Sequence, residues 1–142
     1  MTDDMKLMFL LRKLIERMTE QAVKDGADPA EFDLGFPIYK QNESFKAGDI
    51  RRDGSSDQPF ECLIAYDGKV HPDWNLSTPS LWRPFHGKDV DHAYPWSAPT
   101  GAHDIYKDGD YMTFTDGEIW KCIRDTSFDP IQDSQSWQKE GR

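Results

Sequence analysis

Apolar residues near the start of the chain recur with the period of an α-helix. Between residues 5 and 24 they return every three or four positions, which places them on one side of a helix. The stripe consists of Leu7, Leu11, Leu14 and Met18. Its flanks are widened by Met8, Ile15 and Ala22. This pattern predicts an amphipathic helix over Met5–Lys24.

Both ends of the predicted helix carry residues that start and stop helices. Positions 2–4, TDD, offer an N-cap side chain and place negative charge at the positive end of the helix dipole. At the other end Lys24 is followed by Gly26 and then by Pro29. The sequence therefore marks an N-terminal segment, residues 1–28, that is separate from the rest of the chain.

The apolar stripe needs a partner, because an isolated helix of about 20 residues is marginal in water. Two partners are open: the remainder of the chain, or further copies of the same helix. The stripe covers fewer than three heptads, and packing against the first β unit would explain it equally well. The apolar face is wide, however, and we favour self-association into a trimer or a similar bundle. That face comprises Leu7, Leu10, Leu11, Leu14, Ile15 and Met18.

After the helix the pattern changes to short alternating stretches interrupted by turn residues. The chain contains nine Pro and ten Gly, and 13% of its residues are aromatic. Around Met112 and Phe114 apolar and polar residues alternate, Asp116-Gly117 suits a tight turn, and alternation resumes from Glu118 to Ile123. This is the pattern of a β-hairpin.

The two halves of this β region repeat the same features in the same order. SFKAGDI at positions 44–50 aligns with IYKDGDY at positions 105–111. Phe60 and Cys62 then align with Trp120 and Cys122, and the halves close on SLW and SQSW, which end at Trp82 and Trp137. Such order predicts an internal duplication. We predict a mainly β fold, with the N-terminal helix followed by two small three-stranded antiparallel β modules, residues 33–86 and 92–139.

The repeat resembles a known family of small modules. The order aromatic-Lys-x-Gly-Asp, Gly turn, aromatic, Cys and closing Trp is similar to the chitin- and cellulose-binding modules of carbohydrate-binding families 5 and 12. The stretch ECLIAYDGKVHPDWNLSTPSLW of the first unit is especially similar to versions in bacteriophage and prophage structural proteins. The first unit departs from the pattern by the insertion SSDQP at its hairpin tip, and the second replaces DWN by SFDP.

The resemblance implies binding of a polysaccharide or host cell-surface glycan through exposed aromatic rings. Sugar C–H groups stack on such rings, while nearby polar groups bind the hydroxyls. The candidate platforms are Trp74, Trp96 and Trp120, and the candidate hydroxyl partners are Asp73, Asn75 and Asp104. The alternative role for Trp96 is to join the two units. The alternative for Trp120 is to face the core. Trp82 and Trp137 are predicted to be core residues, because large apolar side chains in small units are mostly structural.

Composition argues against several other kinds of function. The 26 Asp and Glu outnumber the 17 Lys and Arg, and without a basic cluster nucleic acid is not an expected partner. No apolar stretch approaches the roughly 20 residues of a membrane span, and the acidic start is unlike a signal peptide. We therefore expect a protein made in a cytoplasm, with no membrane partner, and the resemblance implies that the cytoplasm is that of a bacterial host.

Catalysis and metal binding have no recognisable motif in the sequence. Cys62 and Cys122 are too far apart for usual zinc spacings and are predicted to be buried free thiols. The histidines are expected to be solvated or hydrogen-bonded rather than metal ligands: His71, His86, His92 and His103. Many acids lie in turns, which disfavours a glycosidase. We predict a non-enzymatic protein without a cofactor or a metal.

These observations predict a carbohydrate-binding protein of a phage or prophage virion that adheres to the host surface. Linked modules in an oligomer would raise the overall affinity by avidity. The alternative is a decoration or structural protein of the tail or head, whose modules kept the fold but pack against other virion proteins. Exposed aromatic platforms would favour the first hypothesis, and aromatics buried between units or subunits the second.

Overall fold

A computed structural model describes residues 1–101 and 103–140 of the 142-residue chain. Helix α1 spans Asp3–Lys24, and the Thr2 hydroxyl caps it by accepting a hydrogen bond from the Met5 amide at 3.2 Å. The helix ends just before Gly26, which has a φ of +98°. The predicted helix is confirmed. It begins two residues earlier than the apolar pattern indicates, because Asp3 and Asp4 favour the first turn electrostatically.

Eight short strands within the described residues form three small antiparallel sheets. The strands are β1 Ser44–Phe45, β2 Ile50–Arg52, β3 Pro59–Cys62, β4 Tyr66–Asp67, β5 Trp82–Pro84, β6 Tyr111–Thr113, β7 Ile119–Cys122 and β8 Trp137–Glu140. The sheet orders are β2-β3-β5, β6-β7-β8 and β1-β4. The fold is thus one long helix followed by small antiparallel sheets, with strands modestly in the majority, as predicted at this level. The two-stranded sheet β1-β4 was not predicted.

The hairpin β6-β7 shows how the local sequence sets the structure. Gly117 adopts a φ of +81°, a conformation that favours glycine, and the Asp116 carboxylate accepts from the Glu118 amide at 2.8 Å. Met112 and Phe114 point inward and are buried, in agreement with the alternating pattern. The predicted hairpin is confirmed.

Equivalent residues of the two halves make equivalent backbone hydrogen bonds. Gly48 and Gly109 each donate to the carbonyl of the cysteine in the adjacent strand, Cys62 or Cys122, at 2.8 Å. Each cysteine amide in turn donates to the Asp that follows the glycine, at 2.7 Å. The turn that carries the Gly-Asp pair is therefore the same in both units.

Each unit has its own aromatic core. The first contains Phe45, Cys62, Tyr66, Leu81 and Trp82. The second contains Tyr106, Met112, Phe114, Cys122 and Trp137. The indole N–H of Trp82 donates to the Tyr66 hydroxyl at 2.8 Å, and that of Trp137 donates to the Phe128 carbonyl at 2.9 Å. The core positions of both tryptophans and the buried free thiols are confirmed.

Helix α1 docks onto the body through a polar side. The Arg12 guanidinium donates to the carbonyls of Leu34 and Phe36, both at 2.7 Å. Thr19 is buried against Gly35, where a Cβ would come within 1.9 Å of the threonine hydroxyl. The apolar stripe does not take part, and its four residues are 49–62% exposed. The alternative that the stripe packs against the first β unit is therefore wrong.

Several contacts join the two units. The Tyr94 hydroxyl of the second unit donates to the Asp33 carboxylate of the first at 2.9 Å. Tyr111 forms an antiparallel bridge with Gly87, the residue that directly follows the first unit. The contacts between the units place loops of both beside one another.

Among the described residues, no helix is both long and apolar enough to cross a membrane.

Candidate functional site

A cleft of about 340 Å³ lies between the two units. The first unit contributes side chains from its hairpin tip, from β3 and from the loop before β5, including Asp53, Phe60 and Leu76. The second contributes the segment before β6, including Trp96, Thr100 and Asp104. The cleft thus combines apolar rings with polar oxygen atoms from two different units.

Trp96 is half-buried and held in one orientation at the cleft. Its amide donates to the Thr113 carbonyl at 2.8 Å, which ties its backbone to β6. Its ring stacks on Tyr106, with centroids 5.0 Å apart and planes 15° apart. Tyr106 stacks in turn on His86 at 3.9 Å. The ring also packs edge-on against Phe114, so it belongs to the second core as well as lining the cleft.

Asp104 closes the loop that forms one wall of the cleft. Its carboxylate accepts hydrogen bonds from the Thr100 amide, the Thr100 hydroxyl and the Gly101 amide, at 2.7–3.1 Å. Burial raises the pKa of Asp104, but these hydrogen bonds outweigh burial and lower the pKa below its usual value. Asp104 is therefore a charged acceptor at neutral pH, and three of its acceptor positions hold the loop.

The opposite wall comes from residues that sequence reasoning did not select. Phe60 lies on β3 at the position equivalent to Trp120, and Asp53 begins the turn that carries the insertion. The Gln58 amide nitrogen donates to the Phe85 carbonyl at 3.2 Å. The sequence did contain a signal: the insertion SSDQP is a departure from the second unit, and three of its five residues, Ser55, Ser56 and Gln58, line the cleft.

Trp74, Asp73 and Asn75 lie together on a loop of the first unit and do not line this cleft themselves, although Leu76 and Ser77, which follow directly, do. The Trp74 ring stacks on His71, with centroids 3.5 Å apart and planes 3° apart, and is half-buried against Tyr66. The Asn75 side-chain oxygen accepts from the Ser77 amide at 2.8 Å, which shapes the loop. Asp73 is exposed. One face of the Trp74 ring is therefore covered by His71.

Trp120 lies on the middle strand of the second sheet. It is paired with Met112 and Lys139, and it packs partly buried against the second core. The Lys139 ammonium lies 5.8 Å from the centre of its ring. Its indole nitrogen is buried and has no hydrogen-bond partner among the described residues. Trp120 is thus shared between the sheet surface and the core.

The structure brings together only two of the six predicted ligand-binding residues in one cavity, Trp96 and Asp104. The remaining four lie on two other surfaces. Burial raises the pKa of Tyr106 to about 12, so its hydroxyl stays protonated well above neutral pH. In the part of the chain that the structure describes, no group of three or more His, Cys, Asp or Glu side chains is placed to hold a metal ion.

The chain matches no model of a known protein family, and no curated protein is significantly similar to it. We therefore infer its function from the geometry and chemistry of the molecule.

Proposed function

We propose that this protein is a non-enzymatic, virion-associated protein of a phage or prophage that binds a neutral glycan of the host surface in the cleft between its two β units. The observation that carries this proposal is the Trp96 ring, which stacks on Tyr106 and lines a cleft together with oxygen acceptors. The virion origin rests on the resemblance of the repeated units. In this proposal the protein is made in the bacterial host's cytoplasm and assembles with other virion proteins.

The chemistry of the cleft suits an uncharged sugar. Trp96, Phe60 and Leu76 offer apolar surface for the C–H faces of a pyranose ring. Asp53 and Thr100 offer oxygen atoms for hydroxyl groups, whereas carboxylates on both walls disfavour an anionic ligand. The cleft volume of about 340 Å³ falls within the ~300–1,000 Å³ range of ligand pockets.

Preorganisation supports the same proposal. The His86–Tyr106–Trp96 stack fixes the ring before a ligand arrives, so little side-chain freedom is lost on binding. A single site of this kind binds weakly, and several sites on one virion would raise the overall affinity by avidity.

The test is retention of the purified protein on host-type cell walls, insoluble chitin and cellulose. We expect Trp96→Ala and Leu76→Ser to reduce binding by about tenfold, or ~1.4 kcal/mol, because each removes apolar surface from the cleft. Circular dichroism identifies variants that fail to fold. If Trp96→Ala fails to fold, Leu76→Ser still tests the cleft. The matched controls, Trp74→Ala and Trp120→Ala, remove tryptophans that lie outside the cleft and should retain binding.

Loss of retention in Trp74→Ala or Trp120→Ala, with Leu76→Ser unaffected, would show that the cleft is not the site.

The second candidate function is a structural or decoration protein of the tail or head. It is favoured by the packing of Trp74 on His71 and of Trp120 on the second core, which gives two predicted platforms intrachain partners. Absence of retention on every polysaccharide would favour this second function.

A further inference from the structure

The apolar face of helix α1 is exposed and has no partner among the described residues. Seven of its side chains are between 45% and 70% exposed: Leu7, Met8, Leu10, Leu11, Leu14, Ile15 and Met18. In heptad terms these residues fill positions a, d, e and g, with Leu11 and Met18 at a and Leu7 and Leu14 at d. All seven side chains are apolar, so the exposure of this face to water is unfavourable.

The chain itself cannot cover this face in the observed arrangement. Arg12 and Thr19 fix a polar side of the helix, which borders the apolar face, to the segment 34–36, and this sets the direction in which the apolar face points. Every residue from Met1 to Leu11 is exposed, so the first half of the helix buries none of its side chains in the body. An exposed helix of this length is marginal in water, and its apolar face requires a partner.

The exposed area matches what a stable interface needs. The seven side chains offer on the order of 700 Å² per chain, close to the ~800 Å² that each partner contributes to a standard-size protein interface. Patches of this size on a soluble protein mark an interaction site. The apolar face is therefore large enough to sustain association by itself.

We propose that three copies of this chain associate through these faces into a parallel three-helix bundle. A face that spans positions a, d, e and g is too wide for one neighbouring helix, whereas two neighbours cover it from both sides. A closed ring of three identical subunits has threefold symmetry, which makes the helices parallel. Identical uncharged faces match one another without any need for complementary charges on a different partner. This proposal does not depend on glycan binding.

The oligomeric state of the full chain in solution tests the proposal. We expect light scattering after gel filtration, and sedimentation equilibrium, to give three times the chain mass of 16.4 kDa. The double variant Leu11→Asp/Leu14→Asp should have the mass of one chain, because it places charge in the centre of the bundle. We expect the dissociation constant to rise by at least 100-fold.

The matched control is Lys6→Gln/Lys13→Gln, which changes the net charge by the same two units on the polar side of the helix and should stay trimeric. Near-ultraviolet circular dichroism of the aromatic cores checks that the β units remain folded. A wild-type mass of one, two or four chains would overturn the three-helix bundle. A trimer that persists in Leu11→Asp/Leu14→Asp would show that another surface holds the copies together. Single-site glycan binding by a monomeric variant would separate this inference from the proposed function.

Discussion

His86 illustrates how the surroundings of one residue determine its chemistry. The side chain is 9% exposed, its ring stacks on Tyr106, and its Nε2 lies 3.2 Å from the Asp104 carbonyl. Burial lowers the pKa of His86 more than the Asp104 carbonyl and the nearby Asp110 raise it, and Lys88 lowers it further. His86 is therefore neutral at pH 7 and donates to the carbonyl through Nε2–H.

This burial makes the fold sensitive to acid. Because the pKa is lower in the folded state than the ~6.5 of an unfolded histidine, the unfolded state binds more protons between the two values. The free energy of unfolding should therefore fall as the pH decreases below about 6.5, by up to ~1.4 kcal/mol for each pH unit between the two pKa values. Urea unfolding at pH 5, 6 and 7 should show a weaker pH dependence for His86→Phe, which keeps the ring stack.

His92 provides a control of opposite sign. Burial lowers the pKa of His92, but the hydrogen bond to Asp89 raises it more, and the net pKa is raised. Its stabilising contribution is complete below the unfolded pKa and disappears as the pH rises through the folded value. His92→Gln should therefore unfold more easily at acid pH than the wild type.

An unchanged pH profile in His86→Phe would rule out a role of His86 in acid sensitivity.

The tryptophans show which residue-scale properties the sequence predicts. Trp82 and Trp137 close their units, and their burial followed from that position in a small core. The sequence around Trp74 did not reveal that His71, three residues earlier, covers one face of the Trp74 ring. A stack of this kind depends on side-chain orientation, which neither apolar periodicity nor turn propensity specifies.

At the scale of elements, the Gly-Asp turn is common to both units but differs in its surroundings. Asp110 accepts from the Lys107 amide at 2.9 Å and forms an ion pair with Lys88, and its side chain is 3% exposed. Asp49 accepts the equivalent bond from the Lys46 amide at 2.9 Å, but its side chain is 32% exposed. The aspartate of the turn is therefore buried in the second unit and partly exposed in the first.

We expect the two aspartates to contribute unequally to stability. Asp110→Ala should lower the free energy of unfolding by about 2–3 kcal/mol, because it removes a buried acceptor and leaves Lys88 without its partner. Asp49→Ala should lower it by about 1 kcal/mol, since water can replace the lost oxygen. Urea titrations of the two variants provide the comparison. Equal losses would mean that burial of Asp110 adds nothing to the turn.

The sequence predicted the secondary-structure elements better than the long-range contacts between them. The helix and the hairpin around Gly117 follow from local periodicity and turn chemistry, and both were found where expected. The sheet β1-β4 was missed because each of its strands has two residues, too few for an alternating pattern. Lys88 stands 22 residues before Asp110, so the alignment of the units could not indicate their pairing.

At the scale of the whole molecule, a partly buried hydrogen bond connects the start of the first unit to the segment that leads into the second. Burial and the Asp33 carboxylate both raise the pKa of Tyr94, so its hydroxyl is a permanent donor at neutral pH. The carboxylate accepts from it at 2.9 Å. The cleft depends on such contacts, because its two walls belong to different units. No local pattern in the sequence predicts how two units are oriented, and the cleft was therefore not foreseen.

We expect Tyr94→Phe to lower the free energy of unfolding by about 1.5–3 kcal/mol, the range for a hydrogen bond to a charged group. The matched control is Tyr111→Phe, because the Tyr111 hydroxyl makes no hydrogen bond within the described part of the chain. That change should stay within about 0.5 kcal/mol of the wild type. Chemical unfolding followed by fluorescence measures both. Equal effects in the two variants would mean that the Tyr94–Asp33 bond does not stabilise the molecule.

Each unit carries one sulfhydryl in its centre, and each sulfhydryl donates to a carbonyl two residues further along the chain, at 3.2 Å in Cys62 and 3.0 Å in Cys122. Burial raises the pKa of both thiols, to about 11 in Cys122. An alkylating reagent reacts with the thiolate, so it can modify either sulfur only while the surrounding unit is transiently open. The two cysteines thus serve as separate natural reporters, through which the opening rate of each half can be timed without introducing a label.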